Sequence, residues 1–445
     1  MCKINMPNGA SSILSLLHSN GFDSYIVGGC VRDSLLGLCP HDWDICTAAT
    51  PEQVKEIFTG GRYRVIETGL KHGTITIVMN DGQYEVTTFR TDGVYSDYRR
   101  PDNVSFVKDI EDDLARRDFT INAMAFDGNK LLDPFGGRND LRRKIVSCVG
   151  GANDRFQEDA LRILRALRFA SVYGFTIEEN TADAIHRSKR LLSHIAAERI
   201  SAELCKLLCG KDVLNILLKY SDVFSIIIPE LGPCIGFEQN NRYHQYTVYE
   251  HIAHAVANYT GDDVTIKLAL LLHDVGKPSC YTEDKNGGHF YGHGLFSRDM
   301  AEAALNRLRL DNKTKSEAVE LVLYHDSVIE PVQKSVRKWL GKIGECQFSR
   351  LLDVRMADIK AHAEGTQGER IRKCAALREV AKNVLEEKQC FSMKDLAIDG
   401  YDVMRLGISQ GPMVGAILNT ILEAVISGAL PNDRKTLLHE AAHLI

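Results

Sequence analysis

At 445 residues the chain is too long for one ordinary hydrophobic core, so two to four domains are expected. Hydrophobic residues at 44% and charged residues at 25% fit a globular protein, and no apolar run approaches the roughly 20 residues of a membrane helix. A formal charge of -5 excludes little, because nucleic-acid binding depends on where the positive charge lies.

The first 150 residues have mixed character. Residues 11–18 have a helical period, 24–27 form a short strand, and 31–36 begin a helix. Between them, Gly28-Gly29-Cys30-Val31-Arg32-Asp33 is a glycine turn opening onto a helix start, where backbone NH groups can hold a polyphosphate. His41-Asp42-Trp43-Asp44 then begins an alternating segment. In a strand, residues i and i+2 share a face, so Asp42 and Asp44 can share one divalent metal site. A lone pair of this kind is also a common surface turn; the glycines and Arg32-Asp33 upstream favour the metal. Residues 51–58 form a short helix capped by Thr50 with Pro51 at its first position. Strand alternation returns at 74–79 and 84–89, joined by the hairpin signal Asn80-Asp81-Gly82. Glu85, just beyond that turn, is the candidate third carboxylate. Oxygen-only ligands favour Mg2+ or Mn2+, and two such ions suit nucleotidyl transfer.

Arginine is concentrated at Arg90, Arg99, Arg100, Arg116 and Arg117. In the run from Arg116 to Ala125, paired arginines can clamp phosphates, while Asp118 and Asn122 can bond ribose hydroxyls. The same run also fits a capped helix with structural ion pairs. From about residue 154 the period becomes 3.6, and Glu158-Asp159-Ala160-Leu161-Arg162-Ile163-Leu164-Arg165 opens a first long helix over 159–173. Asp159 and Arg162, at i and i+3, can together imitate a complementary base: the aspartate accepts from an exocyclic amine and the arginine donates to the ring. An intrahelical salt bridge is the alternative. Further helices are expected at 181–187, 195–209 and 211–219. A histidine-bearing helical region covers 243–345, and a last helical block is punctuated by Gly407, Gly411, Pro412 and Gly415. His273-Asp274, with His251 before and His293, His325 and Asp326 after, can ligate one or two divalent metals that activate water against a phosphate ester. The 12 cysteines are scattered without a repeated CxxC pair, as reduced, buried thiols would be. Residues 1–10 carry no apolar signal-peptide core, so a cytoplasmic location without membrane partners is expected.

Gly28-Gly29 with Arg32-Asp33, Gly37, Asp42 and Asp44, then Glu85 to Arg90, Arg116 to Ala125 and Glu158 to Arg165, resemble the bacterial class II CCA tRNA nucleotidyltransferases and their relatives, the poly(A) polymerases. The resemblance implies an α+β fold, with a polymerase-beta-like head on a five-stranded mixed sheet and all-helical neck, body and tail. The corresponding segments are a head at 1–150, a neck and tRNA-binding region at 151–242, an HD domain at 243–345 and a body and tail at 346–445. It implies that Asp42, Asp44 and Glu85 are catalytic, with Mg2+ held by the aspartates, and that Gly28, Gly29 and Arg32 lie near the triphosphate. Arg117, Asp118 and Asn122 would recognise ribose. Glu158, Asp159 and Arg162 would select CTP or ATP, with Arg165 also at the nucleotide. Residues 88–101, including Arg90, Asp92, Tyr95, Asp97 and Arg100, resemble the flexible loop of full CCA-adding enzymes. The implied reaction is template-independent addition of CCA to tRNA from CTP and ATP; poly(A) or A-only addition is the alternative. The histidine region resembles the HD phosphohydrolases, with His251, His273, Asp274 and Asp326 as ligands for Ni2+, Mn2+ or Co2+ and His293 as an added contact. An HD phosphohydrolase with a tRNA-binding head is the remaining alternative.

Overall fold

The computed structural model describes residues 4–60, 63–70, 73–93, 103–285, 287–387 and 389–445. The chain divides into two compact units, Met1–Pro229 and Glu230–Ile445. Among the described residues no helix is long and apolar enough to cross a membrane. The 11 cysteines described are free thiols; most are buried or half-buried, while Cys39 and Cys346 are exposed.

The first unit opens with α1 (Asn8–Ser19), β1 (Ser24–Val27), α2 (Gly29–Leu35), β2 (Asp44–Thr47) and α3 (Pro51–Gly60). The Thr50 and Gln53 side chains cap α3 reciprocally, each bonding the other's backbone NH. There follow β3 (Arg64–Gly69), β4 (Thr74–Met79), β5 (Gly82–Thr88), the paired β6 (Arg90–Asp92) and β7 (Val104–Phe106), α4 (Ile110–Ala115), β8 (Ala125–Phe126) and β9 (Leu131–Leu132). The main sheet runs β3-β4-β5-β2-β1-β8-β9. It has seven strands rather than five, because the two-residue strands β8 and β9 extend one edge beyond β1. It is mixed as expected: β2 and β5 are parallel and the other neighbours antiparallel. Ile26, Val27, Ile45, Ile75, Ile77 and Val86 are buried in the sheet.

After α5 (Gly137–Arg143) and β10 (Ile145–Val146) the unit becomes mainly helical: α6 (Ala152–Glu158), α7 (Leu161–Tyr173), then β11 (Thr176–Ile177), α8 (Glu179–Ser188), α9 (Ala197–Leu208), α10 (Val213–Lys219) and α11 (Ser221–Ile227). The expected continuous helix from Asp159 is not formed. Asp159 is extended (φ -137°, ψ 103°) and stands in a break between α6 and α7. Its side chain accepts the NH of Leu161 (3.1 Å), so it caps α7 instead of joining it.

The second unit contains α12 (Val248–Asn258), α13 (Val264–Leu272), a small hairpin of β12 (Thr282–Asp284) and β13 (Gly287–His289), α14 (His293–Arg307), α15 (Asn312–Tyr324), α16 (Gln333–Lys360), α17 (Gly368–Glu386), α18 (Gly400–Arg405), α19 (Pro412–Ser427) and α20 (Arg434–His443). Gly344 (φ 81°, ψ 163°) breaks α16. Helix α13 is buried from Thr265 to Leu272, consistent with a helix that is apolar on all sides. It packs with α12, α15 and α16, so its C-terminal His273-Asp274 lies inside the bundle.

Candidate functional site

In the first unit the glycine turn decides the local geometry. Gly28 has φ 75° and ψ -129°, and a Cβ there would lie 2.9 Å from Arg117 Nη1. Only glycine adopts this turn without strain while admitting the guanidinium. With α2 only seven residues long, the positive charge beside the turn comes from side chains. A cleft of about 450 Å³ is lined by Gly28, Gly29, Arg32, Asp44, Arg116, Arg117, Asp118, Asn122, Asp159, Arg162, Arg165, Arg168 and Phe169. The structure therefore brings together most of the residues singled out in the sequence. Six guanidiniums face three carboxylates in it.

A hydrogen-bond chain organises this cleft. Arg165 Nε donates to Asp118 Oδ2 (2.7 Å), Asn122 Nδ2 to Asp118 Oδ1 (3.0 Å), and Arg32 Nη1 to Asn122 Oδ1 (2.6 Å). Burial alone would raise the Asp118 carboxyl, but Arg165, Asn122 and Arg162 together hold it down at about 2. Arg32, Arg165 and Arg168 all stack on the Phe169 ring, with guanidinium carbons 4.1–5.4 Å from its centroid. Arg162 Nη1 donates to Glu158 Oε2 (2.6 Å) and Nη2 to the carbonyl of Arg116 (2.9 Å). Glu158 itself does not line the cleft.

Asp44 opens β2, opposite Glu85 if the Ile45–Val86 register is extended by one residue, and Asp42 lies in the loop just before it. Partial burial is the main influence raising the Asp44 carboxyl; Glu85 and Asp42 push the same way, against Arg117. Mutually repelling, solvent-reaching carboxylates of this kind are an oxygen donor set that a divalent cation would neutralise.

Asp113, on α4, was not evident from sequence. It is fully buried, and its carboxylate accepts from Arg116 Nη2 (2.7 Å), Arg117 Nη2 (3.2 Å) and the Arg90 NH (3.3 Å). Arg116 also pairs with Asp92 (3.5 Å), so Arg90 and Asp92 are tied to the cleft arginines through the base of the predicted loop. Tyr95, Asp97 and Arg100 lie outside the described residues. Arg168 and Phe169 were likewise missed, although they extend the Arg162-Arg165 spacing by a further turn.

In the second unit, His251, His273 and Asp274 form one cluster, His251, Asp358 and His362 a second, and Asp274, His293 and His325 a third; within each, the candidate ligand atoms lie within 4.8 Å of one another. Asp326 lines the same cavity, of about 1050 Å³, but belongs to none of these clusters; Asp358 of α16 is the second carboxylate present in them. Asp358 and His362 also lie past residue 345, so the candidate ligands extend beyond the segment 243–345. Asp274 faces two ways: Oδ2 lies 3.4 Å from His251 Nε2 and 3.2 Å from His273 Nε2, while Oδ1 lies 3.4 and 3.6 Å from the Nε2 atoms of His293 and His325. The Nδ1 atoms of His273, His293 and His325 face the carbonyls of Leu270, Phe290 and Val322 (2.7–2.9 Å). A carbonyl only accepts, so Nδ1 carries the proton and, in the neutral ring, Nε2 presents its lone pair inward. The Nε2 atoms of His293 and His325 stand 3.0 Å apart. Burial would lower His273, yet Asp274 and Asp358 hold it up at about 10, whereas burial keeps His251 and His293 below the ordinary imidazole value.

Residues 24–147 match the family described as Poly A polymerase head domain, 174–234 the probable RNA and SrmB-binding site of polymerase A, and 296–441 the putative domain 2 of tRNA nucleotidyltransferase. With the small mixed sheet and its carboxylates, these matches define a nucleotidyltransferase with a polymerase-beta-like head. The CCA-adding enzyme of Limosilactobacillus fermentum is 34% identical over 437 residues, covering 98% of this chain and 96% of its own length. That of Geobacillus kaustophilus is 34% identical over 432 residues, covering 96% and 94%. The crystal structure of the Bacillus stearothermophilus CCA-adding enzyme in complex with CTP matches with a TM-score of 0.70 at 30% identity over 98% of both chains. The chain belongs to the CCA-adding enzyme family.

Proposed function

We propose that this protein adds C, C and A in turn to the 3' end of tRNA, without a nucleic-acid template, using CTP and ATP and releasing pyrophosphate. The single observation that carries this reading is the cleft of the first unit: a base-matching pair, ribose-matching groups and a cationic wall occupy one space of single-nucleotide size. The CTP bound to the Bacillus stearothermophilus relative supports the nucleotide class.

In this account Asp159 accepts from the exocyclic amine of cytosine or adenine, and Arg162, oriented by Glu158, donates to the ring. Asp118 and Asn122 bond the ribose. Arg32, Arg116, Arg117, Arg165 and Arg168 neutralise the triphosphate, which is most of what this chemistry asks of a protein. Asp42, Asp44 and Glu85 would hold Mg2+, which supplies charge neutralisation and activation of the attacking 3' hydroxyl.

The test offers tRNA transcripts ending before CCA, after C and after CC, with labelled CTP and ATP separately and together. Addition of CCA followed by arrest is expected. ATP incorporation only after CC would assign an A-adding enzyme, and a long A tail a poly(A) polymerase. Asp42→Ala with Asp44→Ala should abolish incorporation; survival of incorporation would remove these residues from the site.

A second activity is favoured by the histidine cluster, whose inward Nε2 lone pairs and buried carboxylates suit Mn2+, Ni2+ or Co2+. Its neighbours Lys277, Arg242 and Arg370 line the cavity and can bind phosphate. We infer an HD-type phosphohydrolase, with His251, His273, Asp274 and Asp358 holding one ion and Asp274, His293 and His325 placed for another. A bound ion there supplies an activated water. His273→Ala with Asp274→Ala should remove hydrolysis of a 2',3'-cyclic phosphate and leave CCA addition intact; hydrolysis that persists in this variant would exclude the centre.

A further inference from the structure

Helix α9 lies along α7, and two of its side chains, Arg199 and Glu203, are spaced i, i+4 and so fall on one face. Both reach groups that line the nucleotide cleft, although neither lines it. Arg199 Nη2 donates to Asp159 Oδ2 (2.8 Å) and Nη1 to Oδ1 (3.4 Å). Glu203 is 9% exposed and pairs through Oε2 with Arg168 Nε (2.5 Å) and through Oε1 with Arg165 Nη1 (3.8 Å). One helix therefore grips the cleft at two places: the carboxylate assigned to the base, and two guanidiniums assigned to the rest of the nucleotide.

We propose that Arg199 is a positioning residue for nucleotide selection, and that α9 separates selection, through Arg199, from affinity, through Glu203. This rests on the CCA-adding reading. Asp159 stands in an extended break rather than in a helix, where the Leu161 NH is a local tie on one oxygen of its side chain. A carboxylate has about four acceptor positions. The Leu161 NH and the two Arg199 donors take three of them, two on Oδ1 and one on Oδ2. The remaining direction, on Oδ2, is thereby set before a base arrives. An amine in the right place meets a ready acceptor, whereas a carbonyl there meets an unrelieved negative charge. Without the guanidinium fork the carboxylate can rotate, and this discrimination weakens. The ion pairs of Glu203 are with Arg165 and Arg168, which are assigned to the part common to every nucleotide, so its effect is common to both substrates.

The test measures kcat/KM for CTP and for UTP, which has a carbonyl where CTP has its amine, on a transcript ending before CCA, in wild type, Arg199→Gln, Arg199→Lys and Glu203→Gln, with thermal unfolding of each. Arg199→Gln should lower the CTP-to-UTP ratio about tenfold or more, equivalent to about 1.4 kcal/mol. Arg199→Lys, which keeps the charge but not the fork, should fall between. Glu203→Gln should change both KM values by a common factor and leave the ratio unchanged. A ratio within twofold of wild type in both Arg199 variants, or an equal loss for both nucleotides, overturns the proposal; if Arg199→Gln does not fold, Arg199→Lys alone decides on the same criterion. A ratio shift in Glu203→Gln overturns the division of roles. Absence of incorporation by wild type would instead remove the CCA-adding reading.

Discussion

Asp118 is held between Arg165 and Asn122 and is 8% exposed, so its ionisation is coupled to folding. Its carboxyl, at about 2, lies below the ordinary 3.8. The stabilisation is therefore present above pH 4 and is lost as pH falls toward 2, an effect of about 2 kcal/mol. Thermal unfolding followed from pH 6 to 2 should show this acid loss in wild type and a flatter profile in Asp118→Asn; parallel profiles would mean that Asp118 is not the responsible group. Asp118 and Asn122 were legible in sequence because both lie in one short run. Asp113 was not, since nothing local distinguishes an aspartate near the end of α4 from a surface charge. Asp326 is next to His325 in sequence, whereas the second carboxylate within the clusters is Asp358. Asp358 bonds His251 across 107 residues of chain, a separation over which no local spacing carries information.

At the scale of elements, the glycine turn read as a pair, yet its two members are not equivalent. Gly29 lies in α2, where a Cβ would meet Arg32 Nη2 at an ordinary 3.6 Å, whereas Gly28 has positive φ and the close approach of Arg117. Gly28→Ala should cost about 1–3 kcal/mol in backbone strain and displace Arg117. Its kcat/KM for nucleotide addition should fall at least tenfold, and further than in Gly29→Ala; equal effects would contradict the geometry. The helical pattern gave α7 and α9 nearly their observed extents. It did not give the interruption at Asp159, because Glu158-Asp159-Ala160 has good helical spacing and no glycine or proline. At that break the Asp159 side chain is held by one local donor, the Leu161 NH, and one tertiary donor, Arg199.

Across the whole molecule, the two candidate centres differ in ligand chemistry, oxygen in the first unit and mixed nitrogen and oxygen in the second. Prolonged chelation followed by return of Mg2+ alone should restore nucleotide addition but not phosphodiesterase activity, which should return with Mn2+, Ni2+ or Co2+. Recovery of both with Mg2+ alone would make the histidine cluster indifferent to the metal. The small mixed sheet and the change to helix were readable because periods of 2 and 3.6 are local properties. The ligand set past residue 345 was not, because it depends on the packing of α16 against α12 and α13. The six guanidiniums of the cleft have one more consequence. A surface that attracts a triphosphate also retains the diphosphate left behind. Pyrophosphate should therefore compete with CTP and ATP, and at high concentration drive the reverse reaction, shortening a finished tRNA end by returning its last residue as a nucleotide.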